Sequence, residues 1–262
     1  MSTIALSPGS TGAAQFTIAS PTTNTNRTIT LPDATTTLVG TDATQTLTNK
    51  TLTAASLSLA SAALSAPAVA GNVEYNGAAA FFTPTGTQRG VMPSQQFYRL
   101  NAGLVGANST SAQSLLGVGV TLSASTIYAF ELGYYMIKTA GTTSHSVSIS
   151  FGGTATLNNI FYTGPTAQGA GTASSISTTS PSVLGATVAT AVAISNQAYS
   201  AATNVISSIY HGTVSIDAGG TFIPQYTLSA APGGAYTTAA GSYMLIYPLA
   251  ASGAAVNIGT WA

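Results

Sequence analysis

Few residues of this chain are equipped for chemistry. Beyond residue 96 the carboxylates are Glu131 and Asp217, the imidazoles are His145 and His211, and no cysteine occurs anywhere in the 262 residues. Glycoside cleavage uses two carboxyl groups about 5–9 Å apart with separated proton affinities. Glu131 stands instead in the otherwise apolar run TIYAFELGYYMIK at 126–138, where a carboxylate is expected to be neutralised by Arg99 or Lys138. Asp217 precedes Ala218, Gly219 and Gly220 and reads as a turn-former. A serine nucleophile would be expected on a G-x-S-x-G elbow, which the sequence lacks. The glycine pairs near 117–119, 152–153 and 233–234 have no accompanying lysine and no strand-to-helix setting for a phosphate. His145 shares strand parity with Val147, Ile149 and Phe151, on an inward or intersubunit face, whereas His211 shares parity with Thr213 and Ser215 and is expected to face water. The expectation is a protein that is not an enzyme, with no catalytic residue, no cofactor and no metal.

Composition narrows the partners. Five Lys or Arg stand against five Asp or Glu, 4% of the chain, and the basic residues at 27, 50, 89, 99 and 138 form no cluster that could displace counterions from phosphates. Nucleic acid is therefore not an expected partner. With 45% hydrophobic residues and zero net charge the chain should fold rather than remain disordered. Mean hydropathy is +0.35, yet every apolar stretch is interrupted well before the ~18 residues that span a bilayer, so no membrane insertion is expected. Residues 1–20 lack a basic n-region and a continuous apolar h-region, which leads us to expect synthesis and folding in the cytoplasm. Without disulfides, stability has to come from packing or association.

Three regions follow from the distribution of large side chains. Residues 1–72 are dominated by Thr, Ala and Ser with Phe16 as the one aromatic, and are expected to be extended. Within them QFTIAS and RTITL alternate as a hairpin, and 35–39 reads as a third strand. Residues 42–53 carry Leu47 and Leu52 as their only bulky side chains, which three copies could bury around a common axis. Residues 54–70 fit a short helix or an extended connection. Residues 73–96 form a bridging hairpin about Asn76 and Gly77. Residues 97–262 show about ten short apolar or alternating runs separated by Gly, Ser, Asn and Pro, the pattern of an all-β antiparallel sandwich or jelly roll. Residues 183–200, rich in Ala, leave a helix open as an alternative.

Two of these strands lack a polar face. In 126–139 one side carries Tyr128, Phe130, Leu132, Tyr134 and Met136, the other Ile127, Ala129, Tyr135 and Ile137, and 242–249 repeats the pattern with Tyr243, Leu245 and Tyr247. A monomeric sandwich turns one side of each strand to water, so these strands are expected to be covered twice, the second time by a neighbouring subunit. The expected trimer interface is Leu47, Leu52, Tyr128, Tyr135, Ile137, His145, Tyr243 and Tyr247. The longest loop-like stretches are 164–181 and 230–241, and Tyr236, the aromatic in the second, is the candidate contact for an outside partner.

Residues 27–53, RTITLPDATTTLVGTDATQTLTNKTLT, and above all TLTNKTLT at 46–53, resemble a signature that recurs in tail-fibre and other virion structural proteins of tailed bacteriophages. Residues 73–91, VEYNGAAAFFTPTGTQRGV, are similar to the short hairpin that follows it in many of those proteins. The C-terminal part is similar in pattern to the trimeric TNF or C1q-like heads that end many fibres. The resemblance implies a homotrimeric tail-fibre or head-fibre protein located in the virion. Its N-terminal part would be attached to other virion proteins of tail, baseplate or capsid, and its head exposed for attachment to a glycan or protein of the host surface. It equally implies an alternative, a capsid decoration or cement protein whose arm clamps neighbouring capsid subunits.

Overall fold

A computed structural model describes residues 56–86, 88–169, 182–194, 198–251 and 257. The N-terminal hairpin, the third strand and the leucines Leu47 and Leu52 lie outside the described residues. Among the described residues all regular structure is β-strand and all pairing is antiparallel. The helix alternatives for 54–70 and 183–200 do not occur where those residues are described.

Residues 73–91 contribute to a small three-stranded sheet of β1 (Val73–Tyr75), β2 (Ala80–Phe82) and β3 (Gly90–Met92). The turn expected at Asn76 and Gly77 is a four-residue loop, because Asn76 Oδ1 accepts from the backbone N–H of Ala78 at 3.0 Å and of Ala79 at 2.9 Å. Glu74 on β1 meets Arg89 just before β3, with Nε and Oε2 2.7 Å apart, and also accepts from the backbone N–H and hydroxyl of Ser65. These donors, Arg89 first, hold the Glu74 carboxyl at about 2, so the sheet and the preceding segment stay tied down to strongly acidic pH.

The head is a two-sheet sandwich. The larger sheet is centred on β8 (Thr126–Lys138). One edge of β8 pairs along its whole length with β13 (Asn204–Ile216), which pairs onward with β10 (Leu157–Gly169) and β11 (Ser182–Ala186). Its other edge is shared between β16 (Tyr243–Ala251), backed by β4 (Gln96–Arg99), and β15 (Thr237–Thr238), backed by β5 (Leu104–Val105). The smaller sheet has β14 (Gly220–Leu228) between β9 (Val147–Gly152) and two short strands, β6 (Gln113–Ser114) and β7 (Val120–Leu122), with β12 (Val192–Ala193) beyond β9. Successive strands change sheets repeatedly, which gives a jelly-roll-like connection. The expected loop at 164–181 is in part strand, since β10 runs to Gly169 and β11 begins at Ser182.

Period-two alternation explains the core. Along β8 every even position from Thr126 to Lys138 is buried, and Phe130, Leu132 and Met136 meet Val147, Ile149, Phe151, Phe222 and Leu228 of the facing sheet in one apolar cluster. Each fully buried side chain of this kind contributes about 1.5–3 kcal/mol. Phe151 and Phe222 stack at 4.9 Å, and Phe130 presents itself edge-on to both at 5.3 and 5.9 Å. Gly212 of β13 makes room for that ring, because a Cβ there would stand 2.6 Å from Phe130 Cζ and 2.4 Å from the Phe161 carbonyl.

Polar groups on the same buried face are almost all paired. Lys138 does not reach Glu131. It ends β8 on the inward side, where Nζ donates to the carbonyls of Ala140, Gly141, Ala201 and Ala202 at 2.6–3.2 Å. Tyr210 and Thr166 share a 2.7 Å hydrogen bond that Ser208 extends at 3.0 Å. His145 is buried as well. A carbonyl only accepts, so its Nδ1–H donates to Thr143 O at 2.8 Å, and the bare Nε2 accepts from the Tyr236 hydroxyl at 2.8 Å. Tyr162, by contrast, is fully buried with no hydrogen-bond partner for its hydroxyl among the described residues.

Tyr162→Phe should raise stability by about 1 kcal/mol, since a buried hydroxyl without a partner carries an uncompensated desolvation cost. The denaturation midpoint in urea checks this, and a drop would show that the hydroxyl is satisfied. Burial also holds the His145 imidazole below its ordinary 6.5. The unfolded chain therefore takes up a proton that the folded head resists. Stability is unaffected above about pH 6.5 and falls as pH drops through it. Thermal melts from pH 8 to 5 should show this loss, and His145→Gln should lessen it.

Candidate interaction surface

The odd-numbered side of β8 points away from the core. With the aligned positions of its neighbours it makes the outer face of the larger sheet. One row crosses six strands as Gly185, Thr163, His211, Glu131, Leu245 and Phe97, each paired with the next in register. A second row holds Phe161, Thr213, Ala129 and Tyr247, and a third holds Ala167, Ser207 and Tyr135. Large apolar side chains stand in water here: Phe97 is 59% exposed, Val183 70%, Phe161 48% and Ile209 46%. Contiguous apolar surface of this kind, where it exceeds a few hundred Å², marks an interaction site.

Glu131 is the acidic group of this face. Both of its oxygens are engaged, one from each flanking strand. The Tyr243 hydroxyl of β16 donates to Oε1, and Nδ1 of His211 on β13 lies 3.3 Å from Oε2. Tyr243 reaches it by lying across Gly133, where a Cβ would come within 2.6 Å of the ring. The hydrogen bond to Glu131, with some burial, pushes the Tyr243 hydroxyl above its ordinary 10.0 and keeps it a donor. The partners expected for Glu131 are thus replaced: Lys138 is inside, and Arg99 donates to Asn101 Oδ1 at 2.8 Å. Asp217 forms the β13–β14 turn as expected, its carboxylate accepting from Thr156 Oγ1 at 3.4 Å. Among the described residues no three of His, Asp and Glu gather as a metal-ligand set.

The bare backbone at Gly133 and the small side chain of Ser207 leave a groove of about 470 Å³ between the Tyr243 and Tyr135 rings on one side and Pro165 and Ile209 on the other. It runs across the middle of the outer face and is mainly apolar.

The residues expected at a trimer interface divide between the two sides of the sheet. Tyr135, Ile137, Tyr243 and Tyr247 are half-buried on the outer face, as parity requires. Tyr128 is a correction: it belongs to the even, inward series and is packed in the core. His145 is a second, since it is 1% exposed and bonded to Tyr236 within the protomer. Tyr236 is a third, because the candidate host contact is fully buried with its ring edge-on to His145 and Tyr226. Sequence reasoning passed over Phe97, Phe161, Val183 and Ile209. Phe161 and Ile209 share parity with polar neighbours, and an isolated apolar residue on a polar face was the available signal. His211 was expected to face water and does, at the edge of the Glu131 cluster.

No protein-family model matches the chain, and no curated protein matches it. Among solved structures it is similar to a chain in the structure of infectious bursal disease virus, Gx strain, at 9% identity over 63% of this chain and 44% of that one, with a TM-score of 0.15. This chain thus spans less than half the length of that neighbour, and a likeness of that size carries no argument about fold or function.

Proposed function

We propose that this protein is a structural component of a tailed-bacteriophage virion, a homotrimeric fibre-like appendage whose N-terminal part attaches to the particle and whose head faces the host. The resemblance of residues 27–53 and 73–91 to phage virion proteins supports the setting. The observation that carries self-association is the outer face of the larger sheet, and the number three comes from the resemblance. The face presents Phe97, Phe161, Val183 and Ile209, and with them Tyr135, Tyr243 and Tyr247, on the same side as one hydrogen-bonded carboxylate. Aromatic enrichment and few charges are the composition of an interface core. In this reading copies of the chain cover the face for one another, and the TNF or C1q-like pattern of the head is the finer form of the same proposal. The poverty of titratable groups supports a binding role over a catalytic one.

The full-length protein should run in light scattering at three times its 26.0 kDa chain mass. Ile209→Glu should reduce it to monomer while the head stays folded, because a carboxylate would have to be buried unpaired between copies. A monomeric wild type would contradict the trimer. On virions, electron microscopy should find a few trimers at the tail or head fibres, whereas one at every capsid threefold would make it a decoration protein instead.

A further inference from the structure

We propose that the turn between β1 and β2 is a self-modification site, at which the backbone nitrogen of Gly77 displaces the side-chain amide of Asn76 and leaves a carboxylate in its place. Asn76 is the one asparagine of the chain that is followed by glycine. A side chain at residue 77 would shield that nitrogen, and the turn has no room for one. Gly77 has a φ of +90°, and a Cβ there would stand 2.8 Å from Ser61 Oγ. The residue is exposed, and its N–H meets no acceptor among the described residues. The rest of the loop is held in shape, because the Tyr75 hydroxyl donates to Gly77 O at 2.9 Å and the Asn76 N–H donates to Ala79 O at 3.4 Å.

The reaction balances with water as its co-reactant. The Gly77 nitrogen gives its proton to solvent and bonds to Asn76 Cγ, the Cγ–Nδ2 bond breaks, and Nδ2 leaves as ammonia. Water then opens the cyclic imide: breaking the new bond to Cγ gives aspartate, and breaking the original main-chain bond gives its β-linked isomer. Negative charge develops on Oδ1 as the nitrogen attacks. That oxygen already accepts from the N–H of Ala78 at 3.0 Å and of Ala79 at 2.9 Å, the arrangement of an oxyanion hole. The same donors serve the product, since a carboxylate accepts from them more strongly than an amide oxygen does. Other asparagines lack the combination. Asn101 Oδ1 accepts from Arg99, Asn108 Oδ1 from the Gly233 N–H, and Asn204 is buried with Nδ2 on Ala201 O, while Ala, Ser and Val follow them in the chain.

The test is peptide mapping by mass spectrometry of the full-length protein, held for weeks in mildly alkaline buffer made with heavy-oxygen water, beside the same chain unfolded in urea. Asn76 should take up heavy oxygen at least about tenfold faster than any other described asparagine, and no slower in the folded protein than in urea. Each conversion adds one negative charge to a chain of zero net charge. Isoelectric focusing should therefore resolve a more acidic species that runs with Asn76→Asp, and that variant should melt no lower than wild type. A folded protein whose Asn76 stays an amide while the unfolded chain converts overturns the proposal, because the turn would then lock the side chain. Another asparagine that outruns Asn76 in the folded protein overturns it as well. A lower melting point for Asn76→Asp would overturn the part given to the Ala78 and Ala79 donors.

Discussion

The head depends on the alternation along β8. Thirteen residues in one unbroken strand send every second side chain into the sandwich and every other one out, and a one-residue slip would exchange the two sets. The inward set fixes where the smaller sheet must lie, because Phe130 has to meet Phe151 and Phe222. Both edges of the strand are then used up, one by β13 and the other by β16 and β15 in turn. What remains is the outward set, half-buried and largely apolar around Glu131.

Scarce charge shapes the rest. The charged groups of the described residues have polar partners close by: Glu74 with Arg89, Lys138 with four carbonyls, Arg99 with Asn101 and Asp217 with Thr156, and Glu131 between Tyr243 and His211. All but the last are fittings of a single chain. The last differs, since it faces outward in the middle of a largely apolar surface.

The strand content and the antiparallel sandwich were legible in the sequence because period-two runs bounded by Gly, Ser, Asn and Pro have few other solutions. The hairpin at residues 73–82 was legible from Asn76 and Gly77, although the Asn76 side chain makes its turn longer than two residues. The interface was legible only in part. When both sides of a strand are apolar, parity separates Tyr128 from Tyr135 but does not say which side is the core, and the deciding fact is the position of the smaller sheet. Tyr236 lies in a run of Ala, Pro, Gly and Thr that has the composition of a surface loop, yet its hydroxyl is drawn inward by the bare nitrogen of His145, a contact 91 residues away. Phe161 and Ile209 become visible as a patch only once β10 and β13 are side by side.

The absence of cysteine from the whole chain makes the outer face directly measurable. Ile209→Cys, on the outer face of the larger sheet, and Thr121→Cys, exposed on β7 of the smaller sheet, can each be timed against a small thiol reagent in the full-length protein. The account predicts that the thiol at 209 is shielded in the assembled protein and becomes as reactive as the one at 121 when the copies are separated by dilution. Equal reactivity at the two positions in the assembled protein would contradict it, since the outer face would then be open to water and something else would hold the copies together.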